Sequence, residues 1–154
     1  MTSTEMSSAQ TDLLFTMPGI PMMTYGDEIG MSGDHGEDGR RPMRWNAGHW
    51  DERILEVYRG LISARSVSHA LRHGGLRWVY ADDDVLVFLR ESTEQTALVQ
   101  CARAAHAPIQ VFMRHLTGVA EAHMAYGRDL ILSSDSVSLM EERPSANIWT
   151  WPRR

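Results

Sequence analysis

Cysteine is nearly missing from this chain. Cys101 stands alone among 154 residues, so no internal disulfide can form, and a reducing compartment suits the protein. No apolar run approaches the roughly 20 residues that a membrane-spanning helix needs. The stretch MTSTEMSSAQ at the amino terminus has neither a basic nor an apolar region and does not read as a secretory signal. Positive charge is also short. With 15 Lys and Arg against 20 Asp and Glu the formal charge is −5, and the arginines are scattered, so a nucleic-acid partner finds no electrostatic footprint. Internal repeats and low-complexity tracts are absent. The expectation is a cytoplasmic protein with no membrane and no nucleic-acid role.

What is present is the composition of a folded domain: 43% hydrophobic and 23% charged residues, in a chain long enough to bury a core. The stretch from Pro18 to Asn46, PGIPMMTYGDEIGMSGDHGEDGRRPMRWN, organises the rest. It opens with an apolar run, Ile20 to Tyr25, fenced by Pro18-Gly19 and Gly26. Apolar residues that run on without alternation are the mark of a strand covered on both faces. A glycine-rich, charged loop follows. A buried strand that delivers a long polar loop is the βα unit of a parallel α/β fold, and function collects on such loops.

Before it, residues 9–17 have the pattern of the last turns of a helix, with Leu13, Leu14 and Met17 on one face and Pro18-Gly19 as the stop. After it comes a longer helix. Asp51 suits the N-cap and Glu52 the first turn, and Ile54, Leu55, Tyr58, Leu61, Ile62 and Arg65 recur at intervals of three and four. Gly74-Gly75 breaks the chain. From Leu76 onward short strand-like segments follow one another: 76–80, 85–90, 96–102, 109–113, 129–132, 137–140 and 147–151. The first two are joined by Asp82-Asp83-Asp84, a hairpin signal, and the series argues for an antiparallel sandwich or barrel. The domain boundary falls near residues 72–75, giving units 1–72 and 73–154. One physical objection attaches to the first unit. A single parallel strand with a helix on each side cannot satisfy its own edges and faces.

"PGIPMMTYGDEIGM" followed by "GEDGRRPMRWN" resembles the eighth barrel strand and following loop of the α-amylase family of glycoside hydrolases (family 13), in its α-glucosidase, neopullulanase and oligosaccharide-hydrolase branch. "ALRHGGLRWVYADDDVLVFLRE" resembles the start of the β-sandwich that follows the barrel in such enzymes. The resemblance runs over roughly residues 11–154. It implies an α+β chain: the last βα unit of a (β/α)8 barrel in residues 1–72, then an antiparallel β-sandwich in residues 73–154. It implies retaining hydrolysis of α-1,4 or α-1,6 glucosidic bonds in the parent enzyme; no cofactor and no metal are expected. The partners implied are an α-glucan or oligosaccharide, and either the missing barrel portion or further copies of the chain.

Retaining hydrolysis needs a nucleophilic carboxylate and an acid/base carboxylate about 5–5.5 Å apart. The family places its catalytic acids after other strands than the eighth, and nothing here resembles those motifs, so no residue is assigned as catalytic and the chain is expected to be inactive alone. Candidates for substrate binding lie on the loop. Tyr25, Asp27 and Glu28 sit where strand meets loop; the two acids either hydrogen-bond near the sugar cleft or are buried against Arg40, Arg41 or Arg44 to hold the loop. Arg40 matches the family's arginine in R-x-P-M-x-W and serves either as a fork on sugar hydroxyls or as a loop-fixing ion pair. Glu37 and Asp38 correspond to the acidic residue before it. A different class of function stays open: a non-catalytic carbohydrate-binding or interaction module on the β-domain, which exposed tryptophans would favour. Trp78 and Trp149 are read as core. His69 and His73 have the i, i+4 spacing of a helical metal site but no third ligand, and read as a polar helix end. Cys101 reads as a small core residue.

Overall fold

The computed structural model describes residues 11–31, 33 and 41–153. A short helix, α1 (residues 11–16), leads in, and a segment without regular structure runs from residue 20 to a 3-10 turn at Asp27–Ile29. Then come α2 (Glu52–Val67), α3 (His69–His73) and eight strands. Asp51 caps α2 as its sequence position predicts, accepting hydrogen bonds from the amides of Arg53 at 3.0 Å and Ile54 at 3.4 Å. Ser68 ends α2 and caps α3, its hydroxyl accepting from Leu71 N at 3.2 Å while donating to Gln95 Oε1 at 2.8 Å. The break expected at Gly74-Gly75 is where α3 meets the sheet. A Cβ on Gly74 would stand 2.5 Å from the Ala70 carbonyl oxygen and 2.8 Å from Glu91 N, so only glycine fits.

The strands are β1 (Gly75–Ala81), β2 (Val85–Glu91), β3 (Gln95–Ala102), β4 (His106–Phe112), β5 (His123–Tyr126), β6 (Ile131–Leu132), β7 (Ser136–Glu141) and β8 (Ser145–Pro152). They form a five-stranded sheet in the order β1-β2-β3-β8-β5 and a three-stranded one in the order β4-β7-β6, and every pairing is antiparallel. The β1–β2 hairpin is fixed by Asp82, whose Oδ1 accepts from the amides of Asp84 and Val85 at 2.8 and 2.7 Å. β2 and β3 read as unbroken apolar runs because both faces of the larger sheet are covered. Phe88, Val99, Cys101 and Ile148 pack under Phe15, Tyr58, Leu61 and Leu71 of the helices. On the other face Val87, Leu89, Leu98 and Trp149 share a second cluster with Val111, Val137 and Leu139 of the smaller sheet. Fully burying one such side chain contributes roughly 1.5–3 kcal/mol.

Several expectations are corrected. Ile20–Tyr25 is not a buried strand: no strand forms there, and Ile20 and Met22 are 95% and 85% exposed. An extended segment with no strand beside it among the described residues has nothing to close its ladder. α1 buries Thr11, Asp12, Phe15 and Thr16 rather than Leu13, Leu14 and Met17, which are half-buried. In α2, Leu55, Tyr58, Leu61 and Arg65 face inward, but Ile62 is exposed. Trp78 is half exposed on the edge strand β1, whereas Trp149 on the central β8 is buried. β5 carries no pattern that announced it. Of the segment 129–132 only Ile131–Leu132 pairs.

Candidate functional site

The described residues between 20 and 50 are held by their own polar groups. Gly26 and Gly30 flank the Asp27–Ile29 turn in left-handed conformations, φ 93° and 72°, which a side chain would strain. Asp27 Oδ2 accepts from Thr24 N at 3.0 Å, and Glu28 Oε2 from Gly26 N at 2.8 Å. Ile29 is buried, and its carbonyl accepts Asp51 N at 3.1 Å, so the turn is tied to the start of α2. Tyr25 is half exposed and donates its hydroxyl to the Arg41 carbonyl at 2.9 Å, which joins the two ends of the loop. Trp50 Nε1 donates to the Arg44 carbonyl at 2.6 Å.

The six candidates therefore divide. Tyr25, Asp27 and Glu28 come together at one turn. Glu37, Asp38 and Arg40 lie outside the described residues. Asp27 is exposed and Glu28 half-buried, and both accept from main-chain amides. With both carboxylates turned back on the backbone, the turn fixes a loop and does not present an acid pair. Exposed apolar side chains accompany it on this segment: Ile20, Met22, Met23, Tyr25 and Trp45, the last 82% exposed.

Other polar groups lie deeper. Burial pushes the Asp12 carboxyl up to about 7. Cys101 is buried beneath α1, and its thiol is pushed well above the ordinary range by burial first and the nearby Asp12 second. Burial, with Asp12 as a lesser cause, raises the Tyr126 phenol to about 12. Sequence pattern gave no hint of Asp12, since a polar residue in a short lead-in helix looks solvated. The rings of His69 and His73 lie tilted against each other with centroids 4.7 Å apart, and His69 Nε2 lies 3.6 Å from Glu94 Oε1. Among the described residues no group of three or more His, Cys, Asp and Glu side chains is spaced to hold a metal ion. No helix among them is long and apolar enough to cross a membrane.

No family model matches the chain. Over 85 residues it is 39% identical to a cyclomaltodextrinase of Thermoanaerobacter pseudethanolicus, covering 55% of this chain and 15% of that protein. Over 87 residues it is 37% identical to neopullulanase 2 of Thermoactinomyces vulgaris, covering 54% and 15%. Among solved structures, a debranching enzyme of Nostoc punctiforme superposes with a TM-score of 0.81 at 27% identity, over 96% of this chain and 31% of that one. The chain thus spans well under two thirds of the length of these relatives.

Proposed function

We propose that this chain, a homologue of the carboxy-terminal portion of α-amylase-family glycoside hydrolases, completes an enzyme that hydrolyses α-1,4 or α-1,6 bonds of α-glucans or α-glucosides with retention, and that these residues alone turn over nothing. Residues 1–72 are then the last βα unit of a (β/α)8 barrel and residues 73–154 its antiparallel β-sandwich, in a cytoplasmic protein. Tyr25, Asp27, Glu28, Glu37, Asp38 and Arg40 line the rim where the sugar lies, and the acids that break the bond come from other strands.

The observation that carries this reading is the exposure of Ile20 and Met22, 95% and 85%, in a segment whose composition is that of a covered strand. Each such side chain gains about 1.5–3 kcal/mol when covered, so the segment asks for a neighbouring strand, supplied by the missing barrel portion or by another copy of the chain. A test uses the Thermoanaerobacter cyclomaltodextrinase cut before the region matched here, mixed with this chain. Release of p-nitrophenol from p-nitrophenyl-α-glucoside should appear with both polypeptides and with neither alone. Turnover by this chain alone, or no association between the two, counts against the proposal.

A second reading, a non-catalytic carbohydrate-binding or interaction module on the β-domain, draws support from the half exposure of Trp78 on β1. The burial of Trp149 and Trp151 leaves that strand's indole without companions on the sheet.

A further inference from the structure

The register of the larger sheet sets Glu91 and Thr96 side by side at one end of the face that carries Leu89, Leu98 and Trp149. Glu91 on β2 pairs with Thr96 on β3, and Thr96 with Trp151 on β8. In the next row Arg77 on β1 pairs with Leu89. The segment of residues 113–121 closes over this end. It is pinned by Trp151 Nε1 donating to the Thr117 carbonyl at 2.8 Å and by Arg77 Nη2 donating to the His115 carbonyl at 3.2 Å. Between sheet and segment lies a cavity of about 310 Å3, at the lower end of the range in which small-molecule sites fall.

Its chemistry is balanced. Arg77 holds Glu91 through two bonds, Nε to Oε2 at 3.0 Å and Nη2 to Oε1 at 3.1 Å. Arg153 stands on the rim, spending Nη1 on the Ser92 carbonyl at 3.1 Å. Glu121 supplies a second carboxylate to the lining and His115 an imidazole. At the back lies Thr96, only 5% exposed. Leu89, Leu116 and Trp151 form the floor. A ligand matched to this arrangement is uncharged, donates and accepts hydrogen bonds at several points, and has an apolar face. We propose that the cavity is a binding subsite for one pyranose ring of a neutral sugar, separate from the loop at residues 20–50. The choice of a sugar among neutral polyols rests on the glucan-directed function proposed above.

The test is a titration of the full 154-residue chain with maltotriose, followed by 1H–15N NMR. Saturable shifts are expected at the amides of Thr96, Thr117 and Gly118 and at the Trp151 indole N–H. Thr96→Val keeps the side chain's shape and removes the hydroxyl, and should weaken binding about tenfold with the melting temperature nearly unchanged. Arg153→Met, at an exposed position, should weaken it as well. Shifts at Tyr25, Gly26 and Trp45 in place of the cavity amides would overturn the subsite and leave the enzyme proposal standing. No shift up to about 50 mM maltotriose, far weaker than a millimolar site, would also overturn it. So would equal shifts with inorganic phosphate, because the site would then select charge. Failure of the two-polypeptide assay with cavity shifts intact would instead strike the enzyme proposal alone.

Discussion

Arg65 on α2 and Arg90 on β2 converge on the carbonyl end of one short helix, α1. Arg65 donates to the carbonyls of Phe15, at 2.8 Å, Met17 and Gly19. Arg90 donates to the Thr16 carbonyl and, through Nε and Nη2, to that of Gly74. The last carbonyls of a helix lack intrahelical partners and carry its negative end, so a buried cation finds both donors' work and a favourable field there. The arrangement still has a cost: burial, and then the charge of Arg65, push the Arg90 guanidinium down to about 10.

The first prediction follows from that clamp. Arg90→Met leaves the Thr16 and Gly74 carbonyls buried without donors and should destabilise the chain by about 2–4 kcal/mol. Arg90→Lys should recover little of this, because an ammonium cannot span both acceptors as the planar fork does. Urea melts of the two variants measure the difference. A lysine variant as stable as wild type would mean that charge alone matters at this position.

Asp12 gives a pH dependence of defined sign. Its carboxyl titrates near 7 in the folded chain because of burial, against about 3.8 in the ordinary state. The folded form therefore holds the proton that the unfolded form releases. Stability is fully present below about pH 4 for this group, declines as pH rises, and levels off above about 7, a loss on the order of 2–4 kcal/mol. Asp12→Asn should flatten that decline and make the chain more stable than wild type at pH 8. Melting temperatures of both proteins at pH 5 and pH 8 check it, and an unchanged slope in the variant would assign the dependence elsewhere.

How much could be read in advance depended on how local the cause was. The Asp51 cap, the Gly74 break and the Asp82 hairpin are settled within a few residues, and each lies where the sequence puts it. Composition misled where the neighbour lies elsewhere. Ile20–Tyr25 is built for a covered strand, and no strand stands beside it here. Trp78 and Trp149 sit in equally apolar segments; one lies on an edge strand beside a bulge and the other at the centre of a covered sheet, a difference set by strand order alone. The cavity rim was illegible for the same reason. Arg77, Glu91, Thr96 and Arg153 meet only through sheet register and the fold of residues 113–121.

The proposed division at residues 72 and 73 can be tested by its packing. Phe88, Val99 and Ile148, all 0% exposed, lie beneath helical residues of the first unit, including Phe15, Tyr58 and Leu61. Residues 73–154 alone would bare that face of the larger sheet. We expect this truncated chain to keep β-type far-ultraviolet dichroism while losing its cooperative melt and binding a hydrophobic dye. A sharp melt would show that the two units fold independently.

The exposed face at Ile20 and Met22 separates a role in stability from a role in association. A side chain that is 95% exposed contributes almost nothing to the fold of the chain that carries it, and its replacement should shift stability by no more than about 0.5 kcal/mol. The double substitution Ile20→Ser, Met22→Ser should therefore melt like wild type. If the segment exists to be covered by a neighbouring barrel strand, the same substitution removes two apolar side chains from that contact, about 3–6 kcal/mol of burial. Association with the complementary polypeptide should then weaken at least a hundredfold, and the restored hydrolysis should disappear at micromolar concentrations. Undiminished association would place the contact somewhere other than this segment. A lowered melting temperature in the isolated chain would show that Ile20 and Met22 are covered within the chain itself and not left for a neighbour.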